Sequence, residues 1–581
     1  MTNDQLAEAL EEIGDRLEVQ GEAFYKVQAY RRAAQTLQDT PTSAQALHRQ
    51  GELSSLPHVG KAISAKLGEL LDTGRMEYLE KLRQEVPDSV RELLRVPGLG
   101  PKKVGSLVKE AGVRSLDDLE QAASSGRLAT LPGMGDKTIQ NLLEGVAVAR
   151  RQLARIPFHL AQAQLEEIVG RLAACPQALK PVAVGSYRRG STTMGDLDVV
   201  AASASPEPVV SCFVGMPGVK EVLGQGDTKA SVRLLSGVQV DLRVVPPEAY
   251  GSLLHHFTGS KEHNLQLRGF AKARGLSINE YGILNEATGE RRAFESEAEL
   301  FEHLGLAFIA PEIREGNGEI EAAKEGRLPH LVAVGDVRGD LHLHTNASDG
   351  RNTLREMALA ARDLGYEYLA ICDHSMSRGH AGGLSIDRLR AQMGEIDALN
   401  REELGITLLK GTESDILSDG SLDYPEGMLA ELDLVVASIH SGMRQPKDQM
   451  TERLLRAVRN PYCTILGHPT GRLLGTREGC DIDLDALLEE AAKTGTLLEI
   501  NSMPDRLDLE GPLVRRAKAA GARFTIDTDA HRCEHLGHMM PYGVTQARRG
   551  WLEPADVVNC LPLEELREAL SAKQRRASGR S

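Results

Sequence analysis

Long apolar runs are missing from these 581 residues, and so is any C-x-x-C pair. The apolar stretches are short and repeatedly broken by charge, so no membrane span is predicted. The seven cysteines (Cys175, Cys212, Cys372, Cys463, Cys480, Cys533 and Cys560) are scattered along the chain. That usage predicts a reduced, cytoplasmic protein. The opening MTNDQLAEALEEIGDRL is polar and helix-like, which predicts no signal peptide. An excess of positive charge is missing too, the formal net charge being −15. Taken as a whole that charge argues against nucleic-acid binding, because phosphate contacts need Lys and Arg. Its distribution softens the objection: residues 91–200 hold 15 basic and 11 acidic side chains, against 32 and 42 beyond residue 315. Binding can be local on an acidic protein, so charge is permissive here and decides nothing.

A chain of this length exceeds one hydrophobic core, so several domains are expected. Residues 1–150 read as short amphipathic helices broken by P-x-x-G elements. From about residue 180 the pattern turns β-rich, in PVAVGS, DLDVVAA and VQVDLRVV. Residues 265–310 are mixed, and the charged, Gly-containing stretch 311–337 reads as a linker. Beyond 338, short apolar strands alternate with helical stretches, the rhythm of parallel β/α units.

Three N-terminal segments share one form: LPHVGKAISAKLGELL (56–71), VPGLGPKKVGSLVKE (96–110) and LPGMGDKTIQNLLEG (131–145). Each places Pro and Gly in a tight turn before a helix with Lys near its start. They resemble helix-hairpin-helix motifs, whose turn amides and helix N-terminus hold a DNA phosphate without reading sequence. The resemblance makes Gly60, Gly98, Gly100, Gly133 and Gly135 candidate DNA contacts. With FYKVQAYRRAA (24–34), the first copy also resembles the lyase domain of DNA polymerase beta. Lys66 then falls at the Schiff-base lysine, with Tyr30 and Lys26 matching. A lysine amine can attack the open aldehyde of an abasic sugar. Ala62 and Tyr78 stand where the relative has phosphate-binding lysines, so Lys66 is read either as that nucleophile or as a phosphate contact.

The segment GSYRRGSTTMGDLDVV (185–200) is the most informative. Asp196 and Asp198 are one residue apart, so on a strand both carboxylates leave the same face. Asp241, in VQVDLRVV, can reach them from a neighbouring strand. Three carboxylates can hold two divalent cations against a triphosphate. Gly185, Ser186 and Arg189 would cradle its β- and γ-phosphates, with Gly195 beside the acidic pair. The combination of G-S-x-R-R-G, G-D-x-D and a strand Asp resembles the nucleotidyltransferase palm of family X DNA polymerases. HHFTGSKEHN (255–264) is similar to their thumb segment, through Phe257, Gly259 and Asn264, with His256 in place of a tyrosine. The resemblance implies that backbone at 257–259 excludes a 2′-OH. It also implies a triphosphate contact for Arg155 and a template-side role for Arg268 and the run Asn279-Glu280-Tyr281. Gln239 replaces an arginine that assists the catalytic aspartate in the relative.

Nine of the seventeen histidines follow residue 340. His342, His344, His374, Glu413, His440, His468, Asp529 and His531 each end an apolar strand, with Asp349 nearby. In β/α barrels that end carries the chemistry, and so many donors there predict metal ligation. The pattern resembles the PHP (polymerase and histidinol phosphatase) family, a (β/α)7 barrel holding up to three Mn2+ or Zn2+ ions. The resemblance implies three groups: His342, His344, Glu413 and Asp529; Glu413, His440 and His468; Asp349, His374 and His531. Arg444, Arg472 and Arg477 are read as phosphate contacts or as solvated surface, and His380, His535 and His538 as structural.

The expected architecture is multidomain: an all-α helix-hairpin-helix region, an α+β nucleotidyltransferase palm and thumb, and a C-terminal α/β (β/α)7 barrel. The expected boundaries are 1–85 (lyase-like), 86–150 (fingers), 151–246 (palm), 247–312 (thumb), 313–337 (linker) and 338–575 (PHP). The expected function is template-directed filling of short gaps in DNA repair, using Mg2+ or Mn2+, with a metal-dependent 3′→5′ exonuclease and abasic-site endonuclease or 3′-phosphatase activity in the PHP domain. The expected partners are gapped or primer-template DNA and dNTPs, bound by a monomer near the nucleoid. Two alternatives are a PHP phosphatase with a vestigial polymerase core, and a DNA-end-binding module with an inert PHP scaffold. The intact palm aspartates speak against the first, the complete ligand set against the second.

Overall fold

The computed structural model describes residues 3–38, 44–96, 99–130, 134–153, 155–443 and 445–577. Gly98, Gly133 and Arg444 therefore lie outside the described residues. The chain forms two compact units, one drawn from 1–154 with 376–384, the other from 155–375 with 385–581.

The first unit is helical, as its amphipathic spacing predicts. Along Asn3–Gln20, Leu6, Leu10, Ile13 and Leu17 recur on one stripe and are at most 1% exposed. They pack on Val27, Leu37, Leu67 and Leu82. A second core gathers Val90, Leu93, Val104, Leu107, Leu119 and Leu142. Arg16 is fully buried and pairs with Glu12 at 2.6 Å, and Glu12 also receives Arg83 at 2.8 Å. Gly60 and Gly100 are the N-caps of Lys61–Thr73 and Pro101–Ala111. Gly135 precedes Asp136–Leu153, and its carbonyl accepts from Thr138 and Ile139.

In the second unit a five-stranded sheet runs in the order Leu179–Ala183, Leu197–Ala202, Gln239–Val245, Lys229–Leu234, Val219–Gln225. Only the second and third strands pair in parallel. The helices Phe158–Ala173 and Pro206–Val214 cover one face through Leu165, Leu172, Val210 and Phe213. Val200, Val245, Tyr250 and Leu253 fill the other. Next come the helices Tyr250–Thr258 and Lys261–Lys272 and a three-stranded antiparallel sheet.

The stretch expected to be a linker is packed instead. Its helix Glu319–Lys324 buries Ile320 and Ala323 with Leu267, Phe294 and Leu300. One of the charges that made it look solvated is satisfied internally, while Glu321, Lys324, Glu325 and Arg327 stay exposed. Glu319, fully buried, accepts from Gly316 N and Asn317 N and meets His263 Nδ1 at 2.8 Å.

Seven parallel strand positions follow among the described residues: Gly339–Asp340, Tyr368–Ile371, Thr407–Lys410 continued by Glu413–Asp415, Val436–Ser438, Ile465–Leu466, Leu497–Asn501 and Phe524–Asp527. Bridges His374↔Glu413 and Leu343↔Ala530 join the two runs of strands and close the ring. No described helix is long and apolar enough to cross a membrane.

Candidate active sites

Asp198 and Asp241 are register partners on adjacent parallel strands, and Asp196 stands just before the first of them. Burial first, then the charges of Asp196 and Asp241, pushes the Asp198 carboxyl up to about 7. Asp241 accepts from the Ser231 hydroxyl and, at 3.2 and 3.4 Å, from the Gln239 amide. Gln239 thus keeps a donor on the aspartate where the relative has an arginine. Gly185 has φ +63°, and a Cβ there would lie 2.8 Å from Asp198 Oδ2. Only glycine lets this turn approach the carboxylate so closely.

The two arginines of the turn diverge. Arg188 is locked inward, to Glu297 at 2.7 Å and Thr258 Oγ1 at 2.5 Å. Arg189 donates to the Thr258 carbonyl at 2.7 Å and to Glu315 at 3.2 Å. Ser186 lies in the turn Gly185–Arg188. Arg155 donates to Thr193 Oγ1 at 2.6 Å and lies 3.9 Å from a Cβ built on Gly195. Thr258 ends its helix, and Gly259 follows at φ +68°. The Asn264 amide donates to the His256 carbonyl at 2.8 Å, and the Arg243 guanidinium lies 5.5 Å from the centre of the Phe257 ring. Burial, with Arg268 nearby, lowers the His256 pKa against the opposing pull of Glu280.

In the barrel, Glu413 is the hub. Its Oε1 lies 3.0 Å from His468 Nε2, 3.2 Å from His440 Nε2 and 3.5 Å from His342 Nε2. Its Oε2 lies 2.7 Å from His374 Nδ1 and 3.6 Å from His344 Nε2. Asp529 Oδ1 is 3.1 Å from His344, while Asp349 lies 3.2 Å from His374 and 3.4 Å from His531. Donor atoms close to within 4.8 Å in three sets: His344, Asp349, His374 and His531; His342, His344 and Asp529; His374, Glu413 and His440. His344 and His374 are each shared between two of these sets, so the grouping is more interlocked than expected. His468 and Asp529 are held at positive φ, of 25° and 52°, backbone strain of a kind that clusters at functional sites.

A metal fits this donor set. His342 Nε2, His344 Nδ1 and His468 Nδ1 are buried without a hydrogen-bond partner, while His344 Nε2, His374 Nδ1 and Glu413 Oε2 face only other members of the cluster. Leaving that many polar atoms unsatisfied costs roughly 1–3 kcal/mol each, a cost that coordination removes. Burial opposes a charge on His342, yet Glu499, Asp529 and Glu413 together hold its pKa well above the ordinary value.

Four family models match the chain: a helix-hairpin-helix domain over 1–76, a SAM-like helix-hairpin-helix tandem over 90–147, the DNA polymerase beta thumb over 253–315 and the PHP domain over 340–503. A relative from Bacillus subtilis (strain 168), DNA polymerase/3′-5′ exonuclease PolX, is 41% identical over 559 residues, 96% of this chain and 97% of that one. The chain belongs to the bacterial family X DNA polymerases that carry a PHP domain. Probable phosphatases from Caldanaerobacter subterraneus and Thermoanaerobacter sp. (strain X514) are 30% and 28% identical, covering 41% of this chain and 93% and 97% of their own lengths.

Sequence reasoning missed the layer that orients the PHP imidazoles. Glu499 meets His342 Nδ1 at 2.5 Å and accepts from the His468 amide, and Asp415 meets His440 Nδ1 at 2.7 Å. Asn501 donates to Asp529 at 3.1 Å, and Arg506 lies 3.8 Å from the same carboxylate. The available signal was position: Asp415, Glu499 and Asn501 also sit in or at the ends of apolar barrel strands. Arg472 and Arg477 are turned to backbone carbonyls, Arg506 O at 3.0 Å and Gly471 O at 3.0 Å. At the N-terminus, Lys66 Nζ lies 4.7 Å from the centre of the Tyr78 ring, which stacks on Tyr30 at 6.1 Å. Lys26 pairs with Glu22 at 2.9 Å.

Proposed function

We propose that this family X polymerase extends a primer opposite a template across short gaps during DNA repair, and that its PHP barrel removes 3′ nucleotides hydrolytically. The observation that carries the reading is the register pairing of Asp198 with Asp241 beside a turn that only glycine can form. Its near full-length likeness to a polymerase and 3′-5′ exonuclease supports both halves. Asp196, Asp198 and Asp241 would hold Mg2+ or Mn2+. The PHP donors His342, His344, Asp349, His374, Glu413, His440, His468, Asp529 and His531 would hold up to three Mn2+ or Zn2+ ions, which mixed imidazole and carboxylate ligation suits. When bound, these ions supply Lewis acidity toward phosphate oxygens.

The protein's own groups do the rest. Gly185, Ser186, Arg189 and Arg155 bind the triphosphate, and backbone at Phe257–Gly259 packs against the sugar of the incoming dNTP. Asn264 and Arg268 orient its base and the template. Gly60, Gly100 and Gly135 present amides to DNA phosphates, with Gly98 and Gly133, outside the described residues, as further candidate contacts. Lys66, half-buried beside Tyr78, is placed to attack a 5′-deoxyribose phosphate or to hold a phosphate. The likeness of the barrel alone to probable phosphatases supports 3′-phosphate removal as a second activity at that site. The domain limits we propose are 1–85, 86–150, 151–246, 247–312 and 338–575, with 313–337 packed on the thumb. The working form is a monomer in the cytoplasm, at the nucleoid.

Extension of a one-nucleotide gapped duplex with Mg2+ and with Mn2+ tests the reading. Asp196→Ala should abolish extension and spare 3′ digestion, and His342→Ala should do the reverse. Loss of both activities in either variant would contradict it.

A further inference from the structure

The helix Cys533–Arg549 starts two residues after His531 and, at 17 residues, spans about 25 Å. Its residues Tyr542, Thr545, Gln546 and Arg549 recur at i, i+3, i+4 and i+7 and so share one face. That face touches the barrel at Gly511 and also meets the palm, at the triphosphate turn. Gln546 Nε2 donates to the Gly190 carbonyl at 2.8 Å, while its Oε1 accepts from Gly511 N at 3.1 Å. Both ends of this amide are therefore spoken for, and it links barrel backbone to palm backbone. Arg549 donates to the Arg189 carbonyl and pairs with Glu315 at 3.0 Å, the carboxylate that also takes Arg189 Nε at 3.2 Å. Tyr542 meets Phe158 edge-on at 5.6 Å, and Phe158 stacks on Tyr187 of the turn at 5.1 Å. The approach is tight: Gly190 has φ +70°, and a Cβ there would lie 2.1 Å from Thr545 Cγ2. Gln546 is 1% exposed and the Arg549 side chain 9%, so these contacts are shielded from water.

We propose that this PHP helix positions the polymerase's triphosphate cradle, with Gln546 and Arg549 as positioning residues that fix the carbonyls of Gly190 and Arg189. The inference rests on reading Arg189 and the Gly185–Ser186 turn as the triphosphate site. Neither residue touches the nucleotide. By holding the turn's backbone they set where Ser186 and Arg189 stand before the nucleotide arrives, and preorganisation of that kind lowers the cost of binding. The PHP domain thereby serves the polymerase reaction as well as its own.

Steady-state single-nucleotide insertion into a one-nucleotide gap by the full chain tests this, with 3′ digestion measured on the same preparations. Arg549→Ala and Gln546→Ala should each raise the KM for dNTP about tenfold with kcat within about threefold and 3′ digestion unchanged, the split expected when ground-state binding is lost. Arg549→Lys, which keeps a donor, should recover most of the loss. Gly190→Ala should raise KM likewise, and adding Thr545→Ala should restore part of it, because the clash is with Thr545 Cγ2 and not with its Cβ, 3.6 Å away. Arg189→Ala separates the two layers of argument. If it leaves KM unchanged, the cradle reading fails and takes this inference with it. If it raises KM while Arg549→Ala and Gln546→Ala do not, the positioning role alone is overturned. Parallel loss of insertion and 3′ digestion in both alanine variants, without rescue by Thr545→Ala in the Gly190 background, assigns the contacts to domain packing and overturns it as well.

Discussion

Replacing Gly185 by alanine perturbs the palm at a single point. The new Cβ would stand 2.8 Å from Asp198 Oδ2, so the carboxylate or the turn must retreat by roughly half an ångström to reach an ordinary contact. The residue also sits at φ +63°, where a side chain costs roughly 1–2 kcal/mol. Asp198 is register-paired with Asp241 and cannot slide along its strand, so the retreat falls on the carboxylate itself or on the phosphate turn. Displacements on this scale in a preorganised site reduce rates by up to about 10²-fold. The assay is insertion of one nucleotide into a gapped duplex under single-turnover conditions, with 3′ digestion as the internal control for folding. Extension should fall 30- to 100-fold, roughly 2–3 kcal/mol of transition-state stabilisation, and 3′ digestion should not change. Extension within threefold of wild type would refute the geometry.

Glu499→Gln should lower 3′ digestion about 10- to 100-fold at limiting Mn2+ and be partly rescued by excess metal, because outer carboxylates orient ligating imidazoles; metal titration of the rate checks it. Chelation should remove both activities, and Mn2+ should restore 3′ digestion better than Mg2+ does. In the N-terminal unit, Glu12 has its pKa lowered to about 2: burial raises it, but the hydrogen bonds and charges of Arg83 and Arg16 outweigh that. A depressed carboxylate contributes stability above its unfolded value near 4.5 and loses it as pH falls through about 2, so this unit should weaken across that window. Glu12→Gln should cost on the order of 3 kcal/mol at pH 7, since it removes one of the two carboxylates paired with the buried Arg16 and leaves only Asp88, and should flatten the acid limb of a proteolysis profile.

The parts of both sites that sequence revealed are those set by local spacing. Asp196 and Asp198 fall on one strand edge because the strand period is two, and Gly185–Ser186 announces a turn by composition. The candidate PHP ligands, Asp349 apart, were visible because each ends an apolar strand, which in a barrel brings them to one rim. Partner choice was not visible. Nothing local says that Glu499 reaches His342 across 157 positions, or that Gln546 reaches Gly190 across 356. The stretch 313–337 misled for a related reason: Glu319 looks like a solvated charge until His263 and two backbone amides are folded around it.

The two candidate metal centres share no residue. The most direct test of that separation is the ratio of nucleotide incorporation to 3′ nucleotide release by Glu413→Gln on one labelled gapped duplex. The ratio should rise by about two orders of magnitude over wild type, since Glu413 is the hub of the barrel site only. A ratio equal to wild type, or incorporation and release falling together, would contradict it.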